Sequence, residues 1–148
     1  MPHGVIDQSS LDRKNDYLYR ISMKALIRNK DGEVLVVKES GRDWWDLPGG
    51  GMDHGEDIKS AIARELREEV SLNGDFAYRV ISVDDPMHLV NADVLQVRLI
   101  FEVFPDILPS LPGPEADSIA YMQPDRLKTS DNMIERRVYD YYSLVQDK

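Results

Sequence analysis

Between residues 57 and 72 the apolar positions Ile58, Ile62, Leu66 and Val70 recur every fourth residue, with Ala61 beside them. An α-helix turns about 100° per residue, so this spacing forms one buried stripe on an amphipathic helix. Asp57 precedes the stripe as an N-cap or first-turn residue, and Asn73-Gly74 predicts the C-terminal stop. Upstream the period changes. Residues 17–27 read as a strand, with Ile21, Met23, Ala25 and Ile27 on one face. The turn Asn29-Lys30-Asp31-Gly32 leads into a short buried strand at 33–38, EVLVVK. Downstream, residues 76–83 and 94–104 are strand candidates separated by the polar segment 84–93. Residues 119–122 predict a last short strand. Residues 131–145 predict a helix, capped by Ser130 or Asp131, with Ile134, Val138, Tyr141 and Val145 on one face.

Two stretches break these patterns. Trp45-Asp46-Leu47-Pro48-Gly49-Gly50-Gly51 holds three glycines and a proline, which predicts neither helix nor strand. Residues 105–114 hold Pro105, Pro109, Pro112 and Pro114, which predicts a stiff irregular loop. Strands on either side of a central helix, then a final helix, predict an α/β sandwich. No repeat or linker divides it, so residues 17–148 read as one domain and the polar residues 1–16 as a loosely held arm.

Composition narrows the function classes. The chain has 148 residues, enough for one domain with a real core. It has no Cys, which removes disulfides and thiol chemistry. No apolar run reaches membrane-spanning length, and the polar N-terminus lacks a signal-peptide core, so a cytoplasmic location is expected. A net charge of −9 argues against a broad nucleic-acid or anionic-membrane surface.

The chemistry concentrates on the central helix. Glu65, Glu68 and Glu69 are i, i+3 and i+4 neighbours within an arc of about 100°. Like charges so placed repel one another, and Glu69 lies close to the apolar stripe, where an uncompensated charge is costly. A hard divalent cation removes both difficulties. Mg²⁺ and Mn²⁺ prefer carboxylate oxygens, and no His or Cys in the cluster suggests zinc.

From Gly50 to Leu72 the chain reads GGMDHGEDIKSAIARELREEVSL. Gly50, Glu56, Arg64, Glu65, Leu66, Glu68, Glu69 and Leu72 stand at the spacing of the Nudix box, and Ser71 replaces the usual glycine. The segment resembles that of MutT-like Nudix hydrolases, metal-dependent enzymes that cleave the diphosphate linkage of a nucleoside diphosphate joined to another group. The resemblance implies a Nudix-type α/β/α sandwich with a mixed β-sheet between helices. It implies Mg²⁺ as cofactor, with Mn²⁺ as a substitute, held by Glu68, Glu69, Glu65 and the Gly49 carbonyl. Glu56 and Arg64 would join loop to helix as a structural pair, with Gly50 opening the box. Glu65, or an acid from a later loop, would act as base; Glu115 is the first candidate there and Asp117 the second. Ser71 removes no catalytic atom and reads as a mild departure.

Weaker candidates lie upstream. Lys38 and Arg42 could hold phosphates. Of the adjacent Trp44 and Trp45, one is expected in the core, and Trp44 is the candidate to stack on substrate. The partner implied is a small nucleoside diphosphate derivative; a homodimer is compatible with this reading. The competing reading is a non-catalytic Nudix-like module that only binds a nucleotide. Retention of every box carboxylate favours the enzyme.

Overall fold

The computed structural model describes Gly4 and residues 17–146; the expected arm at 1–16 otherwise lies outside the described residues. Seven strands and two helices follow in the order β1 (Tyr19–Leu26), β2 (Val34–Glu39), β3 (Gly49–Gly51), α1 (Ile58–Val70), β4 (Phe76–Val83), β5 (Met87–Leu89), β6 (Val94–Pro105), β7 (Ala116–Met122) and α2 (Met133–Ser143). A short 3₁₀ turn at Pro124–Arg126 precedes α2.

The main sheet is mixed. Its strand order is β3-β1-β6-β4, with β5 also paired to β6. The β1–β6 pair is parallel and the others are antiparallel. β2 and β7 form a separate antiparallel pair. Alternation along the strands sorts the core into two layers. Met23, Ala25, Phe101 and Val103 meet Ile62, Leu66 and Val70 of α1. Leu26, Val36 and Ile100 meet Val138 and Tyr141 of α2. The sheet thus lies between the helices, as the α/β/α expectation required.

Several boundaries differ from the sequence reading. Gly49–Gly51 is not a loop but an edge strand, in register with Ser22, Met23 and Lys24. Glycine is what permits it: at Gly49, where φ is 143°, a Cβ would stand 2.0 Å from the Met23 carbonyl oxygen. α1 ends at Val70, short of Asn73-Gly74, because Ser71 adopts the left-handed conformation that closes a helix. Its first stripe residue, Ile58, is 37% exposed, since it lies in the opening turn beyond the sheet. β5 falls within the segment read as polar, and β7 starts three residues before Ile119. The cap of α2 is Asn132, whose side chain accepts from the N–H groups of Ile134 and Glu135, rather than Ser130 or Asp131.

Candidate active site

The box helix starts where the sequence places it. Asp57 caps α1 by accepting from Ser60 N–H at 2.7 Å. From there the 3.6-residue period turns Glu65 and Glu69 inward with Leu66, while Glu68 stays at the rim. Glu69 is 2% exposed. Its Oε2 accepts from Gly49 N–H at 2.6 Å, whereas its buried Oε1 has no hydrogen-bond donor. Burial pushes its carboxyl up to about 9, against the pull of nearby Lys24. Burial also raises the Glu65 carboxyl, with the Arg64 charge opposing it.

Arg64 organises the outer half of the site. Its Nε and Nη2 donate to the two oxygens of Glu56 at 2.7 and 3.0 Å, a bidentate pair. Nη2 also donates to the Gly51 carbonyl at 2.8 Å. Nη1 reaches Glu65 at 3.0 Å and Glu68 at 3.3 Å. The hydrogen bonds from Arg64 hold the Glu56 carboxyl below its ordinary value. Glu56 and Arg64 thus join the segment before the helix to the helix itself. Gly50 serves packing: a Cβ there would lie 2.7 Å from Glu65 Oε1.

The proline-containing loop closes the site from the far end of α1. The last carbonyls of a helix lack intrahelical donors. Here Gly113 N–H donates to Glu69 O at 2.8 Å and Glu115 N–H to Glu68 O at 2.9 Å. Ser71 Oγ adds a bond to the Pro112 carbonyl at 3.0 Å. These bonds bring Glu115 against Glu68, and the contact with that acid raises the Glu115 carboxyl. Asp117 is elsewhere: its carboxylate accepts from Gly41 N–H at 3.1 Å.

On the other side lie residues the sequence reading missed. Lys24 is 5% exposed. It pairs with Asp46 at 3.1 Å and Glu39 at 3.8 Å, and donates to the Leu47 and Gly49 carbonyls at 3.2 and 3.4 Å. The signal was a lysine flanked by Met23 and Ala25 in a core strand, which requires buried acidic partners. Arg98 also lines the cleft, with its Nε buried and without an acceptor.

Together these groups line a cleft of about 730 Å³. Its lining includes Arg42, Glu65, Glu68 and Glu115, and also Arg20, Gln96, Arg98 and Ile134. Lys38 and Trp44 are not among the lining residues. Lys38 pairs with Asp43 and lies over the Trp45 ring, and Arg42 lies over the Trp44 ring.

The donor set fits a hard divalent cation: oxygen ligands only, with one buried oxygen of Glu69 lacking any donor. Among the described residues the carboxylates do not already form a cage of three. Arg64 holds Glu65 and Glu68, and Gly49 N–H holds Glu69.

Known proteins share both the fold and the signature. The NUDIX domain family profile matches residues 18–142. An RNA pyrophosphohydrolase of Actinobacillus pleuropneumoniae is 46% identical over 54 residues, which are 36% of this chain and 26% of that protein. The match thus spans about a quarter of that relative's length. The crystal structure of a MutT protein from Methanosarcina mazei superposes with a TM-score of 0.71 at 21% identity, covering 91% of this chain and all of that one. An ADP-ribose pyrophosphatase from Streptococcus suis gives 0.60 at 22% identity, covering 84% of this chain and 87% of that one. A profile match across nearly the whole domain, with the box residues assembled around one cleft, means that this chain belongs to the Nudix family.

Proposed function

We infer that this protein is a divalent-cation-dependent pyrophosphohydrolase that cleaves the diphosphate linkage of a nucleoside diphosphate derivative. The observation that carries the reading is Glu69: a buried carboxylate with one oxygen lacking a donor, lining a recess with Glu65 and Glu115, two residues that also line the cleft with Glu68. Nudix hydrolases generally use divalent metals, and the oxygen-only donor set suits Mg²⁺, with Mn²⁺ as substitute. Glu68, Glu69, Glu65 and the Gly49 carbonyl would hold the cation. When bound, such an ion offsets charge on diphosphate oxygens and activates water.

The chain's own residues supply the rest. Arg42 at the cleft rim would grip a phosphate oxygen. Glu115 is exposed, and its raised carboxyl value suits it to take a proton from the attacking water. Glu65 is the second candidate, but Arg64 occupies its Oε1. Arg64 and Glu56 hold the helix against β3 and so fix the direction of the carboxylates. A non-catalytic binding module would not need all these carboxylates, and every one is present.

The relatives' names span RNA ends and ADP-ribose, so the substrate is best found by assay. A panel of nucleoside triphosphates, dinucleoside polyphosphates, sugar nucleotides, ADP-ribose and 5′-triphosphorylated RNA, with Mg²⁺ or Mn²⁺, tests the reading. Cation-dependent cleavage of the diphosphate linkage, read as the two phosphorylated products or as released pyrophosphate and abolished in Glu69→Gln, supports it. Tight nucleotide binding without turnover on any of them favours the binding module. No helix among the described residues is long and apolar enough to cross a membrane, and we place the enzyme in the cytoplasm.

A further inference from the structure

The surroundings of Glu69 are not completed by the residues of the box. Its Oε1 is buried and accepts no hydrogen bond, a costly situation in a protein interior. The neighbour it meets is another acid. Glu39 and Glu69 line the same recess, and the Glu39 charge helps to push the Glu69 carboxyl up. A cation seated against Glu69 Oε1 would meet the Glu39 carboxylate on the same recess.

The resident cations do not fill that role. Lys24 Nζ stands 3.8 Å from Glu39 but directs its donors to Asp46 and to the Leu47 and Gly49 carbonyls. Arg42 pairs with Glu39 Oε2 at 2.9 Å. Neither donates to Glu69 Oε1.

Backbone geometry delivers Glu39 to this position. It is the last residue of β2, and the β2–β7 register shifts between Lys38 and Glu39. Such an irregularity re-aims the side chains next to it. Glu39 then lines the same recess as Gly49, Glu65, Glu69 and Glu115, a space of about 440 Å³. The carboxylates of α1 approach this recess from a single helix, while Glu39 enters from a different element.

We propose that Glu39 is a further ligand of the divalent cation, completing from β2 a site whose other side-chain ligands come from α1. The proposal rests on the metal-dependent reading above, and its test separates the two. Mn²⁺ binding to wild type, Glu39→Gln and Asp46→Asn is measured by calorimetry and by water-proton relaxation of the bound ion. Glu39→Gln removes the charge and keeps the side-chain shape. Affinity should fall at least tenfold, and relaxation per bound ion should rise as water takes the lost position. Asp46→Asn removes an equal charge from Lys24's partners and should change affinity less than threefold. Should Glu39→Gln fail to fold, Glu39→Asp serves instead, with a smaller loss of affinity. Wild-type affinity and relaxation in the Glu39 variant would overturn the proposal. An equal loss in Asp46→Asn would do so too, because it would assign the effect to charge alone. Absence of Mn²⁺ binding by wild type would overturn the metal-dependent reading itself, and the proposal with it.

Discussion

Glu115 stands beside Glu68 because its backbone N–H donates to the Glu68 carbonyl oxygen at 2.9 Å. A main-chain bond at the end of α1 therefore sets a side-chain contact between two acids 47 positions apart in the numbering. The neighbouring Gly113 N–H to Glu69 O bond makes the junction two-pronged. Gly113 has no space for a side chain, since a Cβ would lie 2.3 Å from Glu68 O. The loop is thereby seated on the helix end, and the candidate base travels with the candidate ligands.

From that seating follows a contrast between two acids of one loop region. Glu115→Gln should lower kcat at least tenfold, about 1.4 kcal/mol of barrier, with little change in melting temperature. Asp117→Asn weakens only the bond to Gly41 N–H and should leave kcat within about twofold. Steady-state kinetics on the two variants checks this; equal effects would remove Glu115 from the base role.

Glu69 makes a prediction about pH. Burial pushes its carboxyl from an ordinary value of 4.5 up to about 9 in the folded protein. The folded state binds the proton more tightly than the unfolded chain. Its stabilising contribution is therefore complete below about 4.5 and is lost as pH rises towards 9, at up to about 1.4 kcal/mol per pH unit for one proton. Melting curves in chelator should fall across this window. Millimolar Mg²⁺ or Mn²⁺ should restore stability at the alkaline end by binding the folded state, and Glu69→Gln should flatten the profile. A chelated wild type with the same melting temperature at pH 5 and pH 9 would contradict this.

Turnover should require Glu68 and Glu69 together with a cation. Glu68→Gln and Glu69→Gln are each expected to fold and to lose at least a hundredfold in kcat, about 2.7 kcal/mol. Full activity of the wild type in excess chelator would refute the assignment.

Ser71→Gly tests two opposed terms. Serine holds φ of 55° at this helix end, a left-handed conformation costing roughly 1–2 kcal/mol for a residue with a side chain. Its Oγ gives back about 1 kcal/mol through the bond to the Pro112 carbonyl. The substitution should shift stability by less than about 1 kcal/mol and kcat by less than tenfold. A larger fall in kcat at unchanged stability would mean that the Ser71–Pro112 bond positions Glu115.

What the chain determines by itself is local. The fourfold spacing from Ile58 to Val70 specified α1 and the side on which Glu65, Glu68 and Glu69 emerge, since helical period converts spacing directly into direction. The box spacing specified the family. The alternation Ile21, Met23, Ala25, Ile27 marked one face; Met23, Ala25 and Ile27 join the core that includes α1, and Ile21 is half-buried outside it.

Tertiary structure decided what depends on partners distant in sequence. Gly49–Gly51 breaks regular structure by propensity, yet becomes a strand because β1 supplies its hydrogen bonds and, at Gly49, only glycine fits against the Met23 backbone. Ser71 carries no helix-ending signal as strong as Asn73-Gly74, but the docked loop and the chain's return place the stop there. Trp44 and Lys38 suggested ligand contacts by residue type alone, and local packing drew Lys38 to Trp45 and Asp43 instead. Lys24, Glu39 and Asp46 are separated along the chain by up to 22 positions and show no shared motif. They meet because β1, β2 and the segment leading into β3 converge beneath Glu69, and a buried lysine is tolerated only where acids and carbonyls surround it. Sequence period thus gave each carboxylate of α1 its direction, while only the folded sheet determined which charges those carboxylates face.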